Sequence, residues 1–202
     1  MLLFMSSPIL SQTKPQELFD MLTSLTIAKS ETGNTVAWKN LTAKSTAIKW
    51  KEKIPVRSGK LSRQTGTALV LINGKKFVCV DENKQEESEC KWMISFQGSA
   101  TAYDRIEFST SNFPVNEAGD EIKMLFPKNA ASFKLKSKCQ EGASFWRNLY
   151  EVNIPGNKPF WMVSSFESMS GTASQYESSG VANNFYVGFF LNRQTAEDEC
   201  AN

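Results

Sequence analysis

Residues 68–80 read ALVLINGKKFVCV. Two β-prone runs, 68–72 and 75–80, flank Asn73-Gly74. That dipeptide favours a two-residue type I′ turn, in which both central residues need positive φ. The sequence therefore predicts an antiparallel hairpin about residues 73–74, and apolar residues on both faces of 68–72 place that strand centrally.

Working outward, strand signals continue on both sides. In Ile48 to Ile54, Ile48, Trp50 and Ile54 alternate with Lys49, Lys51 and Lys53, the period of a half-buried strand, with Glu52 breaking the apolar side. Downstream, KWMISFQ (91–97) and YDRIEFS (103–109) read as strands, as do Glu121 to Phe126, Ser132 to Cys139, Phe160 to Phe166 and Phe185 to Leu191. Gly142 to Tyr150 fits a short helix or a strand. Residues 168–180 form a polar Ser/Gly-rich loop. The one helix expected lies early: Thr13 as cap, Pro15 in the first turn, and Leu18, Met21, Leu22 and Leu25 on one face. Many short strands after one helix predict an all-β antiparallel sandwich or barrel-like domain with one N-terminal α-helix.

A chain of 202 residues with 41% hydrophobic and 22% charged residues suits one globular domain over residues 13–202. Residues 1–12 read either as a signal-peptide remnant or as an N-terminal strand. No apolar run reaches the roughly 18–20 residues needed to span a bilayer as a helix, so no transmembrane segment is expected.

The chain has no histidine. This excludes Ser-His-Asp and Cys-His catalysis and the common zinc sites; no metal and no cofactor are expected. Its four cysteines, Cys79, Cys90, Cys139 and Cys200, are evenly numbered, widely spaced and free of any C-x-x-C pattern. They read as disulfides, Cys79 with Cys90 and Cys139 with Cys200, and so place the chain outside the cytoplasm, in a periplasm or secreted. The acidic stretch DENKQEESE (82 and its neighbours, 81–89) lacks the glycine and the twelfth-position acid of a calcium loop.

The net charge of +2 conceals blocks: residues 39–63 hold eight cations against one acid, Glu52. Lys49, Lys51 and Lys53, then Lys134, Lys136 and Lys138, each line one side of an expected strand. Two meanings stay open for them: lysines that protect strand edges, or one cationic surface if the strands lie together. Trp146, Tyr150 and Trp161 are the aromatic candidates for contact with a ligand. The function expected is a non-catalytic extracytoplasmic binding or interaction protein for an anionic glycan, membrane-surface headgroups or a protein partner; nucleic acid is not expected. The alternatives are a glycan-active hydrolase using two carboxylates, drawn from Asp104, Glu107, Glu141 and Glu151, and an inhibitor or immunity protein presenting its long loop.

Overall fold

The structure is a computed structural model. It describes residues 48–51, 54–55, 61–69, 71–72, 75–76, 78–81, 86–99, 103–111, 118–142, 145–155, 159–167 and 184–202. The expected helix from Thr13, residues 1–12, Lys53 and the loop 168–180 lie outside these residues.

The strands are β1 (Lys49–Trp50), β2 (Ile54–Pro55), β3 (Leu61–Leu69), β4 (Leu71–Ile72), β5 (Lys75–Lys76), β6 (Val78–Asp81), β7 (Glu86–Glu89), β8 (Lys91–Ser99) and β9 (Tyr103–Thr110). A short helix α1 (Asp120–Leu125) follows, then β10 (Phe133–Gly142), β11 (Phe145–Val152), β12 (Phe160–Glu167), β13 (Asn184–Phe190) and helix α2 (Arg193–Ala201). Among the described residues, nine strands form one antiparallel sheet in the order β1-β3-β8-β9-β13-β12-β11-β10, with β2 also paired to β3. The all-β antiparallel class is thus what the chain adopts.

The hairpin forms, but it is shorter than the sequence suggests. Ile72 pairs with Lys75 and Leu71 with Lys76. On either side the chain diverges: Ala68 and Leu69 pair with Trp92 and Lys91, and Val78–Asp81 pairs with Glu86–Glu89. The ribbons β4-β5 and β6-β7 are outgrowths between two long, directly paired sheet strands, β3 and β8.

Period-two alternation gives the sheet two unlike faces. The inner face carries Trp92 and Ile94 of β8, Ile106 and Phe108 of β9, Phe185, Val187 and Phe189 of β13, and Phe160 and Met162 of β12, all buried in one cluster. Its rings meet mostly edge-on, as Trp92 with Phe108 at 5.2 Å and Phe126 with Phe189 at 5.6 Å, the arrangement that the ring quadrupoles favour. Each such side chain stabilises the fold by about 1.5–3 kcal/mol on burial.

Helix α1 closes this face, and here the sequence reading of a strand over 121–126 is corrected. Ile122, Leu125 and Phe126 are all buried; their i, i+3, i+4 spacing is that of one helical face, and Pro127 stops the helix. The same turn buries Glu121 completely. Its Oε1 accepts hydrogen bonds from Ser164 Oγ (2.8 Å) and Tyr150 OH (3.1 Å), and its Oε2 from the Gly119 N–H (2.6 Å). Polar side chains of β11 and β12 thus line a gap in an apolar layer, and the carboxylate fills it.

The outer face is split. Helix α2 covers its β10–β13 half. Asn192 caps the helix by accepting from the Thr195 N–H at 3.1 Å. Ala196 and Cys200 then pack on Leu149, Trp161, Val163 and Phe190. The Cys139–Cys200 disulfide ties the helix to β10.

Burial raises the pKa of Glu121, against the lowering effect of its hydrogen bonds. A carboxyl group whose folded pKa exceeds its unfolded one contributes most below the unfolded value, and that contribution is lost as pH rises through the folded value. Wild-type stability relative to Glu121→Gln should therefore fall as pH climbs from about 4.5 through the raised pKa. Denaturant titrations of both proteins across that range check this; parallel pH profiles would contradict it.

Candidate functional site

The register of the sheet defines the exposed half of the outer face. Lys49 stands opposite Thr67, Thr67 opposite Met93, Met93 opposite Ser109, Ser109 opposite Tyr186, Tyr186 opposite Ser165, and Ser165 opposite Arg147. This row crosses seven strands, roughly 30 Å at the usual strand spacing. It begins and ends on a cation.

At the β1 end, Ile48 is buried in the inner core and Trp50 packs against it, so the intervening Lys49 and the following Lys51 point outward, and both are exposed. Ile94 is likewise buried inward, which turns Met93 and Ser95 out. Arg63 of β3 lies on the same side, its Nε donating to Ser95 Oγ at 2.8 Å. Lys91 is exposed at the start of β8. Lys49, Lys51, Arg63 and Lys91 therefore share one face. Glu107 of the neighbouring β9, opposite Ser95, acts electrostatically on Arg63, so this end of the face is rich in cations rather than free of acids.

The expected partner triplet lies elsewhere. Lys134, Lys136 and Lys138 sit on β10, at the opposite end of the sheet order from β1. Lys136 pairs with Glu151 at 3.1 Å and Lys138 with Glu141 at 2.8 Å. Register shifts at Leu135/Ser137 and Lys138/Gln140 bulge the strand, leaving every residue from Lys134 to Lys138 exposed. Bulges and lysines on an end strand are the devices that discourage edge-to-edge pairing. The sequence missed Arg63 and Lys91 because nothing local says that β3 and β8 are neighbours of β1.

Charge pairs lie toward the sheet centre. Arg105 Nη1 lies 3.3 Å from Glu107 and 3.6 Å from Glu199 of α2, and its Nη2 donates to Gln97 at 2.8 Å. Tyr186 OH donates to Glu107 Oε1 at 3.4 Å. Burial raises the pKa of Glu107, with Arg105 opposing. Burial together with the charge of Glu107 raises that of Tyr186.

Beside α2 the row opens into a cleft of about 500 Å³, lined among others by Lys91, Ser109, Arg147, Ser165, Asn184 and Glu199. A second cleft of about 340 Å³ adjoins it, with Phe145 and Trp146 in its wall; Arg147, Ser165 and Glu167 border both. Arg147 Nη1 donates to the Glu199 carbonyl at 3.0 Å, which satisfies one of the open carbonyls at the helix end.

Of the aromatic candidates, Tyr150 is buried on Glu121 and Trp161 lies buried beneath the guanidinium of Arg193, 5.3 Å from its ring centroid. Trp146 stacks on Phe166, packs against the inner core and lines the smaller cleft. Cys90 is disulfide-bonded. The side chain of Cys79, its expected partner, lies outside the described ones; its backbone stands opposite Ser88, two residues before Cys90. No family model, curated protein or solved structure matches the chain. No group of three or more metal-ligating side chains gathers among the described residues.

Replacing Arg105 with methionine would leave Glu107 and Glu199 close together without their shared counter-charge. We expect a loss of about 2 kcal/mol at pH 7, below the roughly 3–5 kcal/mol seen when a fully buried pair is broken. The loss should shrink under acid, because Glu107 then protonates. Chemical denaturation at pH 7 and pH 4.5 measures both; equal losses at the two pH values would contradict the assignment.

Proposed function

We propose that this chain is a non-catalytic binding protein of an extracytoplasmic compartment, and that it holds an acidic polysaccharide on the outer face of its sheet. One observation carries the reading: Lys49, Lys51, Arg63 and Lys91 share the face that α2 leaves open. Charges of one sign on a shallow protein surface raise the local concentration of a polyanion and bind it with little dependence on its exact sequence.

The Cys139–Cys200 disulfide supports the compartment, since such bonds persist where conditions are oxidising. Among the described residues no helix is long and apolar enough to cross a membrane. The chemistry of the acids favours binding over hydrolysis. Glu107, whose pKa is raised, is held by Arg105 and Tyr186, and Glu199 shares the same guanidinium. Glu141 and Glu151 are each paired with a lysine of β10. A glycosidase needs one acid free to donate and a second free to attack or to activate water.

Retention on heparin resin at low and moderate salt tests this. The wild-type protein should be retained at low salt and released as salt rises, since exposed charges are screened within roughly 10 Å at 0.1 M. Changing Lys49, Lys51, Arg63 and Lys91 together to glutamine should weaken binding at least about fourfold, on the order of 0.2–1 kcal/mol for each exposed cation. Changing Lys134, Lys136 and Lys138 to glutamine should leave retention nearly intact. Equal retention of the two variants, or no retention of the wild type, would overturn the reading.

A further inference from the structure

Arg147 differs from the other cations of this face. It lies on β11, half-buried, at the border of both clefts. Its one hydrogen bond goes to the backbone carbonyl of Glu199, and it forms no ion pair among the described residues. A guanidinium carries five N–H donors in a planar fork, so most of its hydrogen-bonding capacity faces the clefts unused. That fork matches the two oxygens of a carboxylate.

The surrounding side chains are of the kind that bind hydroxyl groups. Ser109, Ser165, Asn184 and Glu167 line the larger cleft, and none of their side chains makes a hydrogen bond among the described residues. Glu167 can accept, Asn184 can donate or accept, and the serines can do either. Phe145, 41% exposed, stands in the wall of the smaller cleft and offers an apolar ring face. The combined space lies in the range of ordinary small-ligand sites, roughly 300–1,000 Å³.

We infer that the two clefts form one subsite for a single uronic-acid unit, with its carboxylate on Arg147 and its hydroxyls on Ser165, Asn184 and Glu167. This rests on the reading of the outer face as a surface for acidic polysaccharide, and it adds selectivity to a face that otherwise recognises only charge. The far wall of the subsite is the last turn of α2. Three tethers hold that turn: the Cys139–Cys200 disulfide, the Arg147 bond to Glu199, and a long contact from Gln140 to the Ala201 carbonyl at 3.5 Å.

The test is calorimetric titration of the full oxidised chain with a galacturonate trimer and with its fully methyl-esterified form, which keeps the shape and hydroxyls but lacks the charge. The acid should bind at least about tenfold more tightly than the ester. Arg147→Lys keeps the charge and loses the fork, and should cost the acid at least about fivefold. Because Arg147 also touches α2, Glu167→Gln serves as a second variant that leaves that contact in place. It should weaken the ester by a few-fold, through the lost hydroxyl contact, and the acid by less, because the same change removes a negative charge near its carboxylate. A variant with Lys49, Lys51 and Arg63 changed to glutamine should lose heparin retention yet keep the trimer. Equal affinity for acid and ester, or unchanged affinity in both Arg147→Lys and Glu167→Gln, would overturn the subsite. Heparin retention without trimer binding would overturn the subsite alone. Loss of both in the wild type would overturn the polysaccharide reading with it.

Discussion

The aromatic core under the inner face of the sheet sets the direction of every outward side chain. Trp92, Ile94, Phe108, Val187 and Met162 cannot leave that core without each forfeiting the burial of a large apolar group. In a strand, fixing one residue inward fixes the next outward, and a one-residue slip would exchange the faces entirely. Lys49, Met93, Ser109, Tyr186, Ser165 and Arg147 face out together because their sequence neighbours are held in, and Arg63 joins them through its bond to Ser95. The outer surface is therefore as well determined as the core, although it contributes little to stability.

Helix α2 divides that surface into two environments. Over β10 to β13 it turns the outer face into a second small core around Val163, Phe190 and Cys200. Beyond its edge the strands remain polar. Charge follows the same division. Acids gather where α2 and the central strands meet, matched by Arg105, whereas cations predominate at the β1–β3–β8 end, where Glu107 of β9 acts on Arg63. The clefts lie at the seam, where the helix end supplies one wall and residues of six strands, β8 to β13, line the rest. Glu121 plays the opposite part on the inner face: a carboxylate sealed in an apolar layer, retained because Ser164, Tyr150 and the Gly119 N–H leave a polar gap that only an acceptor fills.

Much of the fold was legible in the sequence, because period-two alternation is a local signal. Strands at 91–97, 103–109, 160–166 and 185–191 were readable, as was the pairing of Ile72 with Lys75. What failed were segments whose apolar signal is short or small. In α1 three large residues span a single turn, and six residues of EIKMLF satisfy a strand as readily as a helix. In α2 the buried side chains are Ala196 and Cys200, too small to mark a helical face against the charges around them. The site was legible only in half. The alternation of Lys49 and Lys51 showed that they point one way, but no local pattern showed which strands flank them. The pairing of β3 with both β1 and β8 is a long-range fact, and it replaced one lysine triplet with Arg63 and Lys91. The β10 triplet carries the same sequence pattern, yet its bulges and ion pairs make it an edge.

The central claim is that ligand binds the outer face at the β1–β3–β8 end. Hydrogen–deuterium exchange of the whole protein with and without a heparin oligosaccharide tests it most directly. Ligand should slow exchange within Leu61–Leu69 and Lys91–Ser99 and leave Phe133–Gly142 unchanged. Protection confined to Phe133–Gly142, with none in the other two strands, would contradict the account.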